Sequence, residues 1–122
     1  MIVGIGVDIV DVIRFEALTQ RQPLFIDRIL TISEQLLPDG SQRGVASLAA
    51  RFAAKEAVAK ALGGISGLSW HDCVVTVDIS GRPTIEVQGS VAAAAAELGI
   101  ASWHLSLTHD GGNAIAYVIA EG

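Results

Sequence analysis

The first ten residues, MIVGIGVDIV, are apolar at almost every position, and their Val and Ile content predicts a strand over Ile2–Ile9. Gly4 and Gly6 within it predict a place where something approaches the backbone closely. Asp11–Gln20 fits a short helix, and Pro23 can open a second that runs to about Leu30. Ser33–Gly44 is polar, and Pro38, Asp39 and Gly40 mark it as a loop or turn. Val45–Leu62, rich in Ala and Leu and free of Pro and Gly, predicts the strongest helix, ended by Gly63-Gly64. Farther on, Cys73–Ile79 and Pro83–Val87 flank Ser80-Gly81-Arg82 as a hairpin, and Trp103–Thr108 pairs with Ala114–Ala120 across Asp110-Gly111-Gly112-Asn113. Between these pairs, SVAAAAAELG reads as a short helix that Ser90 caps and Gly99 ends. Helices early and strands late predict an α+β single domain over residues 1–122, with N-terminal helices and a mainly antiparallel sheet.

Three places carry polar groups that the apolar pattern does not explain. On the long helix, Val45, Leu48, Phe52, Val58, Ala59 and Leu62 form a bulky face, and alanines at 46, 50, 53, 54, 57 and 61 form a face that permits close approach. Arg51, Lys55, Glu56 and Lys60 are set into this apolar helix; the bland account is a Glu56–Lys60 salt bridge at i, i+4. Asp8 interrupts the first strand, where it either caps the following helix or leaves the strand end as a metal ligand. In His104-Leu105-Ser106-Leu107-Thr108-His109-Asp110, alternation places His104, Ser106 and Thr108 on one face, a polar row leading to His109 and Asp110.

Composition narrows the chemistry. Hydrophobic residues make up 51% of the chain and charged ones 17%, which excludes disorder. Thirteen acidic residues against eight basic ones give a net charge of −5, which argues against nonspecific nucleic acid binding. The basic residues are concentrated: seven of the eight lie before residue 61, and only Arg82 lies after it. Cys73 is the single cysteine, a small buried hydrophobe at the head of a strand, and with no signal peptide or membrane span in the N-terminus the expected location is cytoplasmic. Asp8, Glu56 and Asp110 offer oxygen ligands for a hard cation, and no Cys/His spacing suits zinc. Magnesium takes one or two carboxylates and completes its shell with water and phosphate. Arg51, Lys55, Lys60 and His109 supply positive charge for such phosphates. The residues therefore point to a magnesium-dependent enzyme acting on a phosphate or pyrophosphate compound.

Gly4-Ile5-Gly6-Val7-Asp8-Ile9, Arg51-Phe52-Ala53-Ala54-Lys55-Glu56-Ala57 with Lys60-Ala61-Leu62-Gly63, Gly81-Arg82-Pro83 and Ser106-Leu107-Thr108-His109 together resemble the holo-acyl-carrier-protein synthase family over essentially the whole chain. The resemblance implies the 4′-phosphopantetheinyl transferase fold and transfer of 4′-phosphopantetheine from coenzyme A to a serine of acyl carrier protein, releasing adenosine 3′,5′-bisphosphate, in fatty acid biosynthesis. It implies Asp8 and Glu56 as magnesium ligands, Lys60 on the pyrophosphate or the leaving phosphate, Arg51 and His109 near the 3′-phosphate, and Gly81, Arg82 and Pro83 at the adenine. Lys55 and Ser106 join the expected coenzyme A contacts. The base that takes the serine proton is left between Glu56, acting through water, and His109 or Asp110. The resemblance further implies a homotrimer with interfacial active sites. It also implies a basic first helix that grips an acidic carrier, free or fused in a larger synthase, for which Arg14, Arg21 and Arg28 recur every seven residues. The competing accounts are a noncatalytic coenzyme A or nucleotide-binding module and a magnesium-dependent pyrophosphate hydrolase.

Overall fold

A computed structural model describes residues 1–122. The strand β1 (Ile2–Asp11) leads into helices α1 (Val12–Arg21), α2 (Phe25–Ile29) and the single turn α3 (Ile32–Gln35), followed by the long α4 (Val45–Ala61). Then come a 3-10 turn (Trp70–Asp72), the hairpin β2 (Cys73–Val77) and β3 (Pro83–Val87), helix α5 (Gly89–Glu97), and the hairpin β4 (Ser102–Asp110) and β5 (Asn113–Glu121). β5 lies in the middle of an antiparallel sheet of order β1-β5-β4, while β2 and β3 form a separate pair.

The packing of α4 on this sheet depends on small residues from both sides. Ala53, Ala54 and Ala57 of α4 and Ala114, Ala116, Val118 and Ala120 of β5 are all fully buried. Because side chains alternate along a strand, the residues of β1 that pair with the buried β5 row are Gly4, Gly6, Asp8 and Val10. A Cβ on Gly6 would run into the carbonyl oxygen of Ala57, and one on Gly4 into that of Ala61. The expected close approach is therefore that of α4's own backbone. A second cluster joins α1 and α2 to the start of α4 through Phe15, Phe25, Phe52 and Trp70, whose rings contact one another at centroid distances of 5.6–6.2 Å.

The opposite face of the sheet has no helix on it. Val3, Ile5, Val7 and Ile9 of β1 and Tyr117 of β5 are 40–61% exposed there. Such a contiguous apolar surface is unusual on an isolated small protein.

Several local expectations are corrected by the structure. The segment expected as a loop from Ser33 contains α3, because Thr31 and Glu34 form a reciprocal capping box: Thr31 Oγ1 accepts from the Glu34 N–H and Glu34 Oε1 from the Thr31 N–H. Asp11, the last residue of β1, caps α1 by accepting from the Arg14 N–H at 2.9 Å, so Asp8 has no capping role. Ser90 does not cap α5 with its own hydroxyl. Its N–H and Oγ both donate to Asp72 Oδ2, at 2.8 and 2.7 Å, so the helix start is tied to the 3-10 turn. β2 stops at Val77 because the Asp78 carboxylate accepts from Ser80 and the Arg82 N–H and folds the tip into a turn that leaves Ile79 fully exposed.

The backbone contact at Gly6 yields a direct test. Gly6→Ala is expected to destabilise the protein by about 2–4 kcal/mol in urea denaturation, since neither backbone can yield without disturbing the alanine seam. Gly44→Ala, where an added Cβ meets nothing, should cost less than about 1 kcal/mol, the effect of alanine at the N-cap of α4. Equal midpoints for Gly6→Ala and the parent protein would contradict the packing account.

Candidate active site

Asp8 sits two residues beyond Gly6 on the helix-facing side of β1, so the glycine contact brings its carboxylate to the last turns of α4. There its Oδ1 accepts from Lys60 Nζ at 3.0 Å, and Lys60 also donates to the Val7 carbonyl at 3.0 Å. The expected Glu56–Lys60 helix pair is therefore replaced by a pairing of Lys60 across to the strand. Glu56, one turn before Lys60, lines a cleft of about 280 Å³ together with Asp8, Asp11, Arg14 and Phe52. Burial, and then the neighbouring Asp8 charge, push the Glu56 carboxyl above its usual range, while Lys60 opposes the shift.

Two facing carboxylates, one of them disfavoured as an anion, form a donor set that a cation would relieve. Asp11 also borders the cleft, but its carboxylate caps α1, and no three His, Cys, Asp or Glu side chains are grouped closely enough to share one ion. That set fits a hard divalent ion such as magnesium, which completes its shell with water and phosphate oxygens, and does not fit a closed zinc site.

A second cationic cluster lies on a different side of α4. Arg51 is five residues before Glu56, hence about 140° around the helix. Its Nη1 donates to Ser47 Oγ at 2.9 Å and to the Ser47 carbonyl at 3.3 Å, and Arg43 Nη1 donates to the same hydroxyl at 3.4 Å. Both Nε atoms are buried without a partner. Burial, and then the neighbouring Arg43 charge, lower the Arg51 pKa to about 10 against a partial offset from Glu34. Two guanidiniums that share one hydroxyl and have donors to spare form a place for an anion such as a phosphate. Arg43 and Ser47 are absent from the candidates read in the sequence. The spacing Arg43, Ser47, Arg51, four residues apart along the entry to a helix, is the signal that could have found them.

Lys55, expected among the phosphate contacts, is placed elsewhere. Its ammonium is buried and donates to Glu34 Oε1 at 2.7 Å and to the Trp70 carbonyl at 3.0 Å. Glu34, also buried, accepts in addition from the Val75 N–H at 2.8 Å through its other oxygen. Cys73 lies at the head of β2 as expected, buried, with burial raising its thiol to about 12.

The β4 residues are not gathered at Asp8 and Glu56 within one chain. His109 pairs with Ala114 and thus shares a row with Val10, across two strand spacings of about 5 Å each. It lies on the helix-facing side, so the expected polar row does not run on to it; Ser106 pairs with Tyr117 and belongs to the bare face. His104, on that same face, bonds Glu121 at 2.9 Å. Asp110 ends β4 exposed, opposite Asn113. Gly81 and Arg82 form the exposed tip of the β2–β3 hairpin, and Arg82 and Pro83 line a cleft with Asp78, Trp103 and His104. Arg14 and Arg21 are exposed on α1, seven residues apart and so pointing nearly the same way, with Arg28 exposed on α2. Arg14 reaches the Asp8–Glu56 cleft, so this basic row leads to it.

The family model of the 4′-phosphopantetheinyl transferase superfamily matches residues 4–118. The chain is 60% identical to the holo-acyl-carrier-protein synthase of Streptomyces coelicolor over 99% of its own length and 98% of that protein's. Its fold is similar to the crystal structure of the Neisseria meningitidis holo-acyl-carrier-protein synthase, with a TM-score of 0.88 at 38% identity and full coverage of both chains. It is also similar to the Helicobacter pylori enzyme in complex with coenzyme A, with a TM-score of 0.82 at 33% identity over 96% of this chain and 99% of that one.

The opposed influences on Glu56 predict two opposite shifts in the metal-free protein. Followed by carboxyl NMR, Asp8→Asn should lower the Glu56 pKa and Lys60→Met should raise it, because the first removes a like charge and the second a compensating one. Shifts of the same sign, or none, would contradict the proposed coupling.

Proposed function

The chain belongs to the 4′-phosphopantetheinyl transferase superfamily, and from that premise we infer that it transfers 4′-phosphopantetheine from coenzyme A to a serine of apo acyl carrier protein. The observation that carries the site assignment is the shared cleft of Asp8 and Glu56, with Lys60 held between strand and helix at its edge. Asp8 and Glu56 would hold magnesium, which when bound neutralises the pyrophosphate and makes the nucleotide a better leaving group. Lys60 adds positive charge where the departing phosphate gains negative charge. The serine oxygen bonds to the phosphorus that carries the pantetheine arm as the bond to adenosine 3′,5′-bisphosphate breaks, and the serine proton passes to a base. Glu56 acting through a water is one candidate for that base, and His109 or Asp110 is the other. Arg51 and Arg43 suit the 3′-phosphate, and Gly81–Pro83, beside a cleft near Trp103, suits the adenine.

The bare apolar face supports a homotrimer in which copies cover each other's sheets. Such an assembly lets Ser106 and His109 of one chain serve the Asp8–Glu56 cleft of the next, which they do not reach within one chain. The Arg14, Arg21 and Arg28 row, leading to the cleft, suits an acidic carrier protein, free or as a domain of a fatty acid synthase. No helix is long and apolar enough to cross a membrane, and the single buried thiol fits a reducing, cytoplasmic setting for fatty acid biosynthesis.

One assay tests these assignments together. With coenzyme A and magnesium, apo carrier protein should gain about 340 Da by mass spectrometry, the mass expected for metal-assisted transfer of the arm. Asp8→Ala and Glu56→Ala should abolish the gain, and Arg14→Glu with Arg21→Glu should raise the KM for the carrier only. Mixing inactive Glu56→Ala chains with impaired His109→Ala chains should restore turnover if neighbouring copies share sites. Full turnover by the Asp8 and Glu56 variants would overturn the metal site; equal KM effects on carrier and coenzyme A would overturn the docking row; no restoration on mixing would overturn the shared site.

A further inference from the structure

The buried ion pair Glu34–Lys55 takes no part in the chemistry above, yet both of its carboxylate oxygens accept hydrogen bonds and its ammonium makes two. Glu34 accepts from Lys55, from the Thr31 N–H and from the Val75 N–H, and Lys55 donates onward to the Trp70 carbonyl. The side chains are 0% and 1% exposed. Burying two charges is costly, and replacing such a pair by apolar side chains of similar volume is often neutral for stability. Stability alone therefore does not account for it.

Its location accounts for it better. Ser47, Arg51 and Lys55 follow one another at intervals of four along α4 and so form a ridge on one side of the helix. Lying over that ridge is the segment from Glu34 to Arg43, and its two ends are fastened to the two ends of the ridge. At one end Glu34 is held by Lys55; at the other, Arg43 donates to Ser47, the hydroxyl that also holds Arg51. The ends are also joined to each other: the Arg43 N–H donates to the Gln35 carbonyl at 2.9 Å, and Leu36 and Gln42 form an antiparallel bridge between them. The path Lys55, Glu34, Gln35, Arg43, Ser47, Arg51 thus closes on α4. The backbone of Arg43 is also held by its link through Gly44 into α4, and Glu34 by the Val75 N–H; what the Lys55 end adds is the tie between the far end of the hairpin and the middle of α4.

We propose that Glu34 and Lys55 are positioning residues: their buried pair clamps the 34–43 segment onto α4 so that the Arg43 and Arg51 guanidiniums converge on the phosphate of the nucleotide end of coenzyme A. This rests on the assignment of that anion site to the 3′-phosphate. The pair acts through Arg43, touches no reacting atom, and selects for the phosphorylated nucleotide over one that lacks the 3′-phosphate.

Calorimetric titration of the purified full-length protein with coenzyme A and with dephospho-coenzyme A separates the possibilities. The variants are Glu34→Gln and the double substitution Glu34→Gln with Lys55→Met, which leaves no unpaired buried charge; thermal melting identifies the one to be measured folded. The preference for coenzyme A over dephospho-coenzyme A should fall about tenfold in that variant, while affinity for dephospho-coenzyme A changes less than about twofold, the pattern of a lost contact to one phosphate. Arg51→Gln controls the underlying assignment and must itself collapse the preference. If Arg51→Gln collapses it and a folded pair variant keeps the parent preference, the clamp is overturned. If Arg51→Gln leaves it intact, the phosphate assignment fails and the clamp falls with it.

Discussion

Everything in this molecule depends on how closely β1 lies against α4. With no side chains at Gly4 and Gly6, the strand rests against the carbonyls of Ala57 and Ala61. Helix and sheet normally keep side-chain thickness between them, and here that layer is missing along one edge. Asp8, the next residue on the same side of the strand, therefore lies beside the helix, within hydrogen-bond reach of Lys60 and next to Glu56. A bulkier seam would separate the carboxylates, and a seam without Asp8 would be only structural.

α4 serves several purposes because its circumference is divided. One side is alanine and supports the sheet; the end near Lys60 presents Glu56 to Asp8; a third side carries Ser47, Arg51 and Lys55 beneath the 34–43 segment. Glu56 and Lys60 thus meet Asp8 at one place on the helix, while Arg51 meets Arg43 at another. The arrangement also explains the charge distribution along the chain. A net charge of −5 conceals a first half in which Arg14 lines the Asp8–Glu56 cleft, Lys60 pairs with Asp8, and Arg43 and Arg51 meet at Ser47.

Much of this was legible in the sequence, for identifiable reasons. The glycines within an apolar strand and the alanine face were departures from a simple burial pattern that pointed to close approach, and the isolated Asp8 pointed to a cap or a metal ligand. The strands and the long helix followed from alternation and from Gly and Pro punctuation. What escaped was long-range pairing. Nothing local says that Lys60 reaches across to Asp8 and not along the helix to Glu56, or that Lys55 turns inward to Glu34, because such choices depend on which segments the fold brings together. The T-I-S-E capping box was readable at Thr31–Glu34 but was hidden by the polar, turn-rich stretch that follows it. The polar row of His104, Ser106 and Thr108 leads along β4 toward His109, but alternation turns His109 itself to the opposite face.

The central claim is that the glycine seam creates one cation site from Asp8 and Glu56. Manganese, which shares magnesium's preference for oxygen ligands and reports its own binding by electron paramagnetic resonance, measures that site directly. Titrated in the presence of coenzyme A, the protein should bind one manganese per chain, and Asp8→Asn and Glu56→Gln should each weaken binding by at least about tenfold, as expected when one of only two protein ligands is removed. Undiminished manganese affinity in both variants would contradict the account.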